Sequence, residues 1–247
     1  MKAVYGILML ITLAGIICAA GCITTETKGE VPNKFVSISE ENNGDLIPVD
    51  MRTPITIKLL ENPTTGYSWN VTGTEGLAIT DDTFEPPKAP IPGAGGVHVW
   101  TLKPEVTGMV TFTAKYVRSW EEAQANDMTY SITFYVTPEG ASVVNVNSAN
   151  DGTTITVPKN GVAIVTLDEN PTTGYQWTAK VSGNAEIAAD SFVPPYSEAP
   201  LVGAGGIHKW IVTFTGEPSG TFEAGYARPW EENVADEKSF TVTFAQA

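Results

Sequence analysis

The string ENPTTGY occupies residues 61–67 and recurs, letter for letter, at 169–175. A heptamer repeated at a fixed offset constrains the chain to be built twice from one structural pattern. The offset of 108 persists around it: Gly44 aligns with Gly152, Val49 with Val157, Leu59 with Leu167, Trp69 with Trp177, and Pro86-Pro87 with Pro194-Pro195. Two additional residues enter the second copy just after the double proline, and from Ala89 the offset is 110. GAGG at 93–96 then meets GAGG at 203–206, His98 meets His208, and Tyr116, Arg118 and Trp120 meet Tyr226, Arg228 and Trp230. Two units follow, residues 35–138 and 139–247, joined near Thr137–Gly140.

Inside each unit the apolar period is two. ITIKLL (55–60), MVTFTAKYV (109–117) and SITFYV (131–136) read as strands, as do AIVTLD (163–168), TFEAGYA (221–227) and FTVTF (240–244). Gly, Pro and Asn punctuate these runs, and no stretch is long enough for the helical crossovers of a parallel sheet. About seven short strands in ~100 residues predict an all-β chain of two tandem immunoglobulin-like β-sandwich domains.

The first 21 residues stand apart. Lys2 precedes an apolar run that ends in the small residues Ala19, Ala20 and Gly21, the pattern of a secretory signal. Cys22 follows at once, and AAGC resembles a lipoprotein cleavage box in which the cysteine becomes the lipidated first residue. Ala19 stands where that pattern prefers Leu. An uncleaved transmembrane anchor and plain secretion are the alternatives, since ~20 apolar residues can span a bilayer. All three place the body outside the cytoplasmic membrane. The polar stretch from Cys22 to residue 34 reads as a tether. Cys18 lies in the signal, so the body beyond Cys22 holds no cysteine and no disulfide.

Without residues 1–21 the chain carries 13 Lys and Arg against 28 Asp and Glu, a net charge of −15. Such a surface repels phosphate backbones, which argues against a nucleic-acid partner. The acidity itself reads as a solubility feature. Catalysis has little to work with. A Ser or Cys nucleophile needs a nearby base, and a zinc site needs several His or Cys ligands. Each unit has one histidine and no cysteine, so no enzyme activity, metal or cofactor is expected. His98 and His208 read as strand residues that are solvated or bonded to backbone, and nothing in the pattern marks a pair of carboxylates as held together.

Three stretches remain, each present twice. In ENPTTGY, Asn62 can accept a backbone N–H two residues on, Pro63 fixes φ, and Gly66 permits a positive φ. Thr64 and Thr65 are left at the tip of a tight turn, with Tyr67 and Trp69 resuming a strand. GAGG leaves bare backbone open to close approach; no helix or GK[ST] follows, so it is no phosphate loop. Tyr-x-Arg-x-Trp, as YVRSW at 116–120 and YARPW at 226–230, offers residue types that often dominate interfaces, or else a core Trp with an Arg stacked over it.

Taken together and in this order, NPTTGY, GAGG and RPW resemble the chagasin-type inhibitors of papain-like cysteine peptidases over nearly all of residues 35–245. The resemblance implies a wedge of three loops at one end of each sandwich, entering the active-site cleft. Asn62, Pro63, Thr64, Thr65 and Gly66 would approach the catalytic cysteine, as would Asn170, Pro171, Thr172, Thr173 and Gly174. Gly93, Gly95 and Gly96, with Gly203, Gly205 and Gly206, would flank it on one side; Arg118 and Trp120, with Arg228, Pro229 and Trp230, on the other. Ser119 departs from the pattern, and losing the fixed φ of a proline is expected to loosen the first unit's third loop. A non-inhibitory cell-surface adhesion module is the alternative, because fold does not fix function.

Overall fold

Alternating apolar and polar side chains give each strand one face to bury, and two sheets burying such faces against each other make a sandwich. A computed structural model describes residues 35–89, 91–122, 124–197, 202–231 and 238–247. The predicted signal, Cys22 and the tether lie outside the described residues. No helix among the described residues is long and apolar enough to cross a membrane.

The first unit runs β1 (Val36–Ile38), β2 (Leu46–Asp50), β3 (Ile55–Glu61), β4 (Tyr67–Gly73), β5 (Leu77–Glu85), β6 (Gly96–Pro104), β7 (Gly108–Arg118) and β8 (Met128–Thr137). The second runs β9 (Val143–Asn147), β10 (Thr154–Val157), β11 (Val162–Glu169), β12 (Gln176–Val181), β13 (Ala185–Val193), β14 (Gly206–Phe214), β15 (Gly220–Ala227) and β16 (Lys238–Gln246). Each unit thus has eight described strands, one more than the pattern predicts. β1 was illegible because three residues are too few to show an alternation.

The two copies share one topology. Sheets β1-β3-β6-β5 and β2-β8-β7-β4 in the first unit match β9-β11-β14-β13 and β10-β16-β15-β12 in the second. Described strands pair only within their own unit. β1 with β3 and β2 with β8 are parallel, as are their counterparts; the remaining pairs are antiparallel. In β3, burial alternates along ITIKLLE, with Ile55, Ile57 and Leu59 inside. Trp100 meets Phe112 across the sheets at 5.3 Å, and Trp210 meets Phe222 at the same 5.3 Å.

β11 breaks this alternation. Its first four residues, Val162 to Val165, are all buried, so this strand is covered on both faces. Outward-facing Ile164 belongs to a separate apolar cluster with Ala189, Ile211 and, from the first unit, Leu46.

Candidate functional site

β3 and β4 are antiparallel strands of opposite sheets, and the chain must cross between them in five residues. It does so in a 3-10 turn over Pro63–Thr65, which ends on Gly66 at φ 83°. Asn62 organises the crossing. Its Oδ1 accepts from the Thr64 N–H at 3.2 Å and from the Thr64 hydroxyl at 2.7 Å. The Thr65 hydroxyl donates to the Asn62 carbonyl at 2.7 Å. The same bonds recur around Asn170, at 3.2, 2.6 and 2.7 Å, with Gly174 at φ 87°. The predicted Asx turn is therefore present in both copies. The tip threonines, Thr64 and Thr65 with Thr172 and Thr173, are exposed, but their hydroxyls already bond within the turn.

The turn is tied to the other two loops. Asn62 Nδ2 donates to the Gly93 carbonyl at 2.9 Å, and Asn170 Nδ2 to the Gly203 carbonyl at 3.2 Å. One asparagine side chain thus bridges the repeated turn and GAGG. The glycines of GAGG divide the work. Gly93 and Gly203 sit at φ 80° and 79°, with open space where a side chain would project. Gly95 and Gly96 serve packing instead: a Cβ would fall 2.7 Å from the Glu61 carbonyl at Gly95 and 2.3 Å from the Glu85 carbonyl at Gly96. Bare backbone for a partner is offered mainly at Gly93 and Gly203.

The third loop closes over the first. Trp120 and Trp230 are 69% and 66% exposed, so neither is a core tryptophan. Each ring edge lies over the turn glycine, and a Cβ on Gly66 or Gly174 would come within 2.3 Å of the indole. Arg118 does not stack on Trp120; its guanidinium sits 4.5 Å above the Tyr67 ring, as Arg228 does over Tyr175. Glu121 hydrogen-bonds the Arg118 guanidinium at 2.9 Å, and this bond pushes the Arg118 pKa further up, keeping the charge on. The Arg228 guanidinium likewise donates to Glu231 at 3.0 Å. Ser119 and Pro229 therefore support the same arrangement, with the indole over the glycine and the arginine over the tyrosine.

Beneath the loops lies a polar anchor that neither histidine's spacing revealed. Glu61, only 5% exposed, accepts from the Trp69 N–H at 2.8 Å and faces His98 Nδ1 at 2.9 Å. His98 Nε2 stands 2.7 Å from Asp82, and the ring stacks on Trp100 at 4.0 Å. Glu169, His208, Asp190 and Trp210 repeat the arrangement at 2.8, 2.5 and 4.0 Å. The expectation of a solvated or backbone-bonded histidine is thus corrected, and each histidine brings together two carboxylates that nothing in the sequence pattern marked as a pair. The reason is register: Leu59 and Phe84 both pair with His98, so Glu61 and Asp82 reach it as diagonal neighbours. Tyr116 completes the base, its hydroxyl accepting the Asn62 N–H at 2.8 Å; Tyr226 serves Asn170 at 3.1 Å. Glu61, Tyr67 and Tyr116 went unrecognised from sequence, although Glu61 and Glu169 begin the repeated heptamer.

The sequence model of the Chagasin family peptidase inhibitor I42 matches this chain twice, over residues 49–134 and 156–244. The chain belongs to the chagasin family. Family membership makes it a peptidase inhibitor rather than an enzyme. It is 33% identical over 103 residues to Chagasin of Trypanosoma cruzi, covering 39% of this chain and 92% of that protein. It is 36% identical over 98 residues to Amoebiasin-1 of Entamoeba histolytica, covering 39% of this chain and 95% of the relative. The crystal structure of the cysteine protease inhibitor EhICP2 from Entamoeba histolytica aligns with 44% of this chain and 98% of its own, at 21% identity and a TM-score of 0.40. Each relative matches a span of one unit, so this chagasin-family chain is a tandem form.

The turn glycines yield a direct expectation. Gly66→Ala and Gly174→Ala each place a Cβ in left-handed backbone and against an indole, costing about 1 kcal/mol or more. Urea unfolding of the two variants should show this loss together with an altered tryptophan environment. Losses of only a few tenths would show that the glycine–indole contact is not holding the loop.

Proposed function

We propose that the chain is a surface-anchored, reversible inhibitor of papain-like cysteine peptidases, with three loops of each unit entering the active-site cleft. The observation that carries this reading is the pre-tied loop cluster, in which one asparagine holds two loops and an exposed tryptophan caps the turn, built identically twice. Ordering loops on association costs free energy, and loops already hydrogen-bonded to one another avoid most of that cost. A large indole left two-thirds exposed on a rigid base also fits a contact residue.

Inhibition by such a cluster is steric. The Thr64-Thr65 and Thr172-Thr173 tips would stand before the catalytic cysteine, in 3-10 backbone rather than the extended conformation of a cleavable substrate. Gly93 and Gly203 would let the peptidase wall approach backbone, while Arg118-Trp120 and Arg228-Trp230 would contact the opposite wall. No covalent step is involved, so release restores both partners. An adhesion module working through a sheet face would leave both tryptophans without a use.

Titrating the full mature chain against papain and a cathepsin-L-like peptidase tests the reading. Inhibition at micromolar concentration or below is expected, and none across several such enzymes would overturn it. Within the full chain, Trp230→Ala should cost about 2 kcal/mol, roughly 30-fold in Ki, for the second cluster. Arg228→Ala with Trp230→Ala should weaken inhibition more than Arg118→Ala with Trp120→Ala, because Ser119 leaves a backbone φ free.

Anchoring rests on the signal-like residues 1–21 and the AAGC string, with Cys22 as the lipid-bearing residue. Mass spectrometry of the mature N-terminus should find an acylated Cys22, and an intact Met1 would rule it out.

A further inference from the structure

The two copies differ where outward-facing residues of the second unit meet the first. On the outer face of the β11-β14-β13 sheet stand Ile164, Ala189 and Ile211, at 6%, 6% and 0% exposure. Their counterparts in the first unit are Thr56, Asp81 and Thr101, which suit water. Leu46, 1% exposed, packs into this face from β2, where the second unit has an exposed Thr154. A charge pair seals the rim. Lys209 Nζ lies 2.5 Å from Asp45 Oδ1, both side chains largely buried, whereas the matching positions hold Val99 and Thr153. Asp45 is itself held, since its Oδ1 also accepts the Leu46 N–H at 2.7 Å. The turn before it is fixed by the Tyr130 hydroxyl, which donates to the Ser39 carbonyl at 2.9 Å. Burial there pushes the Tyr130 phenol pKa up, so the donor keeps its proton.

The two-residue extension of the second copy points the same way. Lys88 in the first unit is replaced by Tyr196-Ser197-Glu198 in the second. Pro194 reaches 3.7 Å from the position of a Cβ on Gly44. Tyr196 forms one wall of a cavity of about 820 Å³ whose other walls include Leu60, Asn62, Trp69, Gly95 and Tyr116 of the first unit. A residue of the second unit therefore stands at the foot of the first unit's loops. A docking footprint of ~800 Å² per partner centred on those loops would spread well past their tips.

We propose that this asymmetric face locks the two units into one rigid body and makes Tyr196 part of the first unit's peptidase-docking surface. The first half stands on packing alone; the second rests on the inhibitor reading above. The full chain tests both. Backbone relaxation by NMR should give the two units one shared rotational correlation time. Ile164→Thr, Ala189→Asp and Ile211→Thr together install residues that the first unit carries in the same fold. This triple variant should give two shorter correlation times with each unit still folded. Independent tumbling in the native chain, or joint tumbling in the variant, overturns the lock. For the second half, Thr172→Arg and Trp230→Ala silence the second cluster, and Tyr196→Ala is added to that chain. Inhibition through the first cluster should weaken by about tenfold, the loss of one well-packed aromatic contact, with the thermal midpoint unchanged. An unchanged Ki overturns the docking role. Should the native chain inhibit no papain-like peptidase, the inhibitor reading and the docking role fall together, and the relaxation data still decide the lock.

Discussion

A carboxylate almost wholly removed from water needs strong partners in place, because an isolated buried charge costs several kcal/mol. Glu61 and Glu169 meet that demand at the last residue of β3 and β11, where the chain leaves the sandwich for its loops. Each takes the N–H of the tryptophan near the start of the return strand and faces the histidine of the neighbouring strand, which a second carboxylate approaches from the other side. Three strands of one sheet and an edge strand of the other, β4 or β12, thereby meet at one point. The loops are rigid because their base is. Asn62 and Asn170 follow directly in sequence, and their turn inherits the placement.

This dependence explains which features were legible in the chain. The duplication, the turn chemistry of Asn62, Pro63 and Gly66, and the strand alternation are local, so sequence spacing alone carries them. The family resemblance rests on those same local strings. The role of His98 was not legible, because Glu61 lies 37 residues away and Asp82 16, and only sheet register makes them neighbours. The exposure of Trp120 was equally hidden. A Tyr-x-Arg-x-Trp string does not reveal that its arginine chooses Tyr67, leaving the indole free to cover Gly66. Both copies agree on all of this, so comparing them for identity could not expose it.

Comparing them for difference is more informative. Ile164 against Thr56, Ile211 against Thr101 and Lys209 against Val99 are changes that a free-standing pair of repeats has no reason to make. They lie on one face, and that face is buried. The burial of four consecutive residues at the start of β11 is its trace in secondary structure. Duplication supplied two loop clusters; divergence supplied the surface that holds them together. A tandem chagasin-family chain with a closed joint presents two clusters in a fixed relation, unlike two units on a flexible linker, whose effective concentrations are set by the linker's length and stiffness.

The claim on which the functional account turns is that the loops, and not a sheet face, meet the peptidase. Hydrogen–deuterium exchange of the full chain with papain whose catalytic cysteine is left unmodified tests it most directly. New protection is expected at 64–66, 93–96 and 118–120, and at 172–174, 203–206 and 228–230, with the sheet faces unchanged. Protection confined to the sheet faces, with both copies of the repeated turn exchanging as in the free chain, would contradict it.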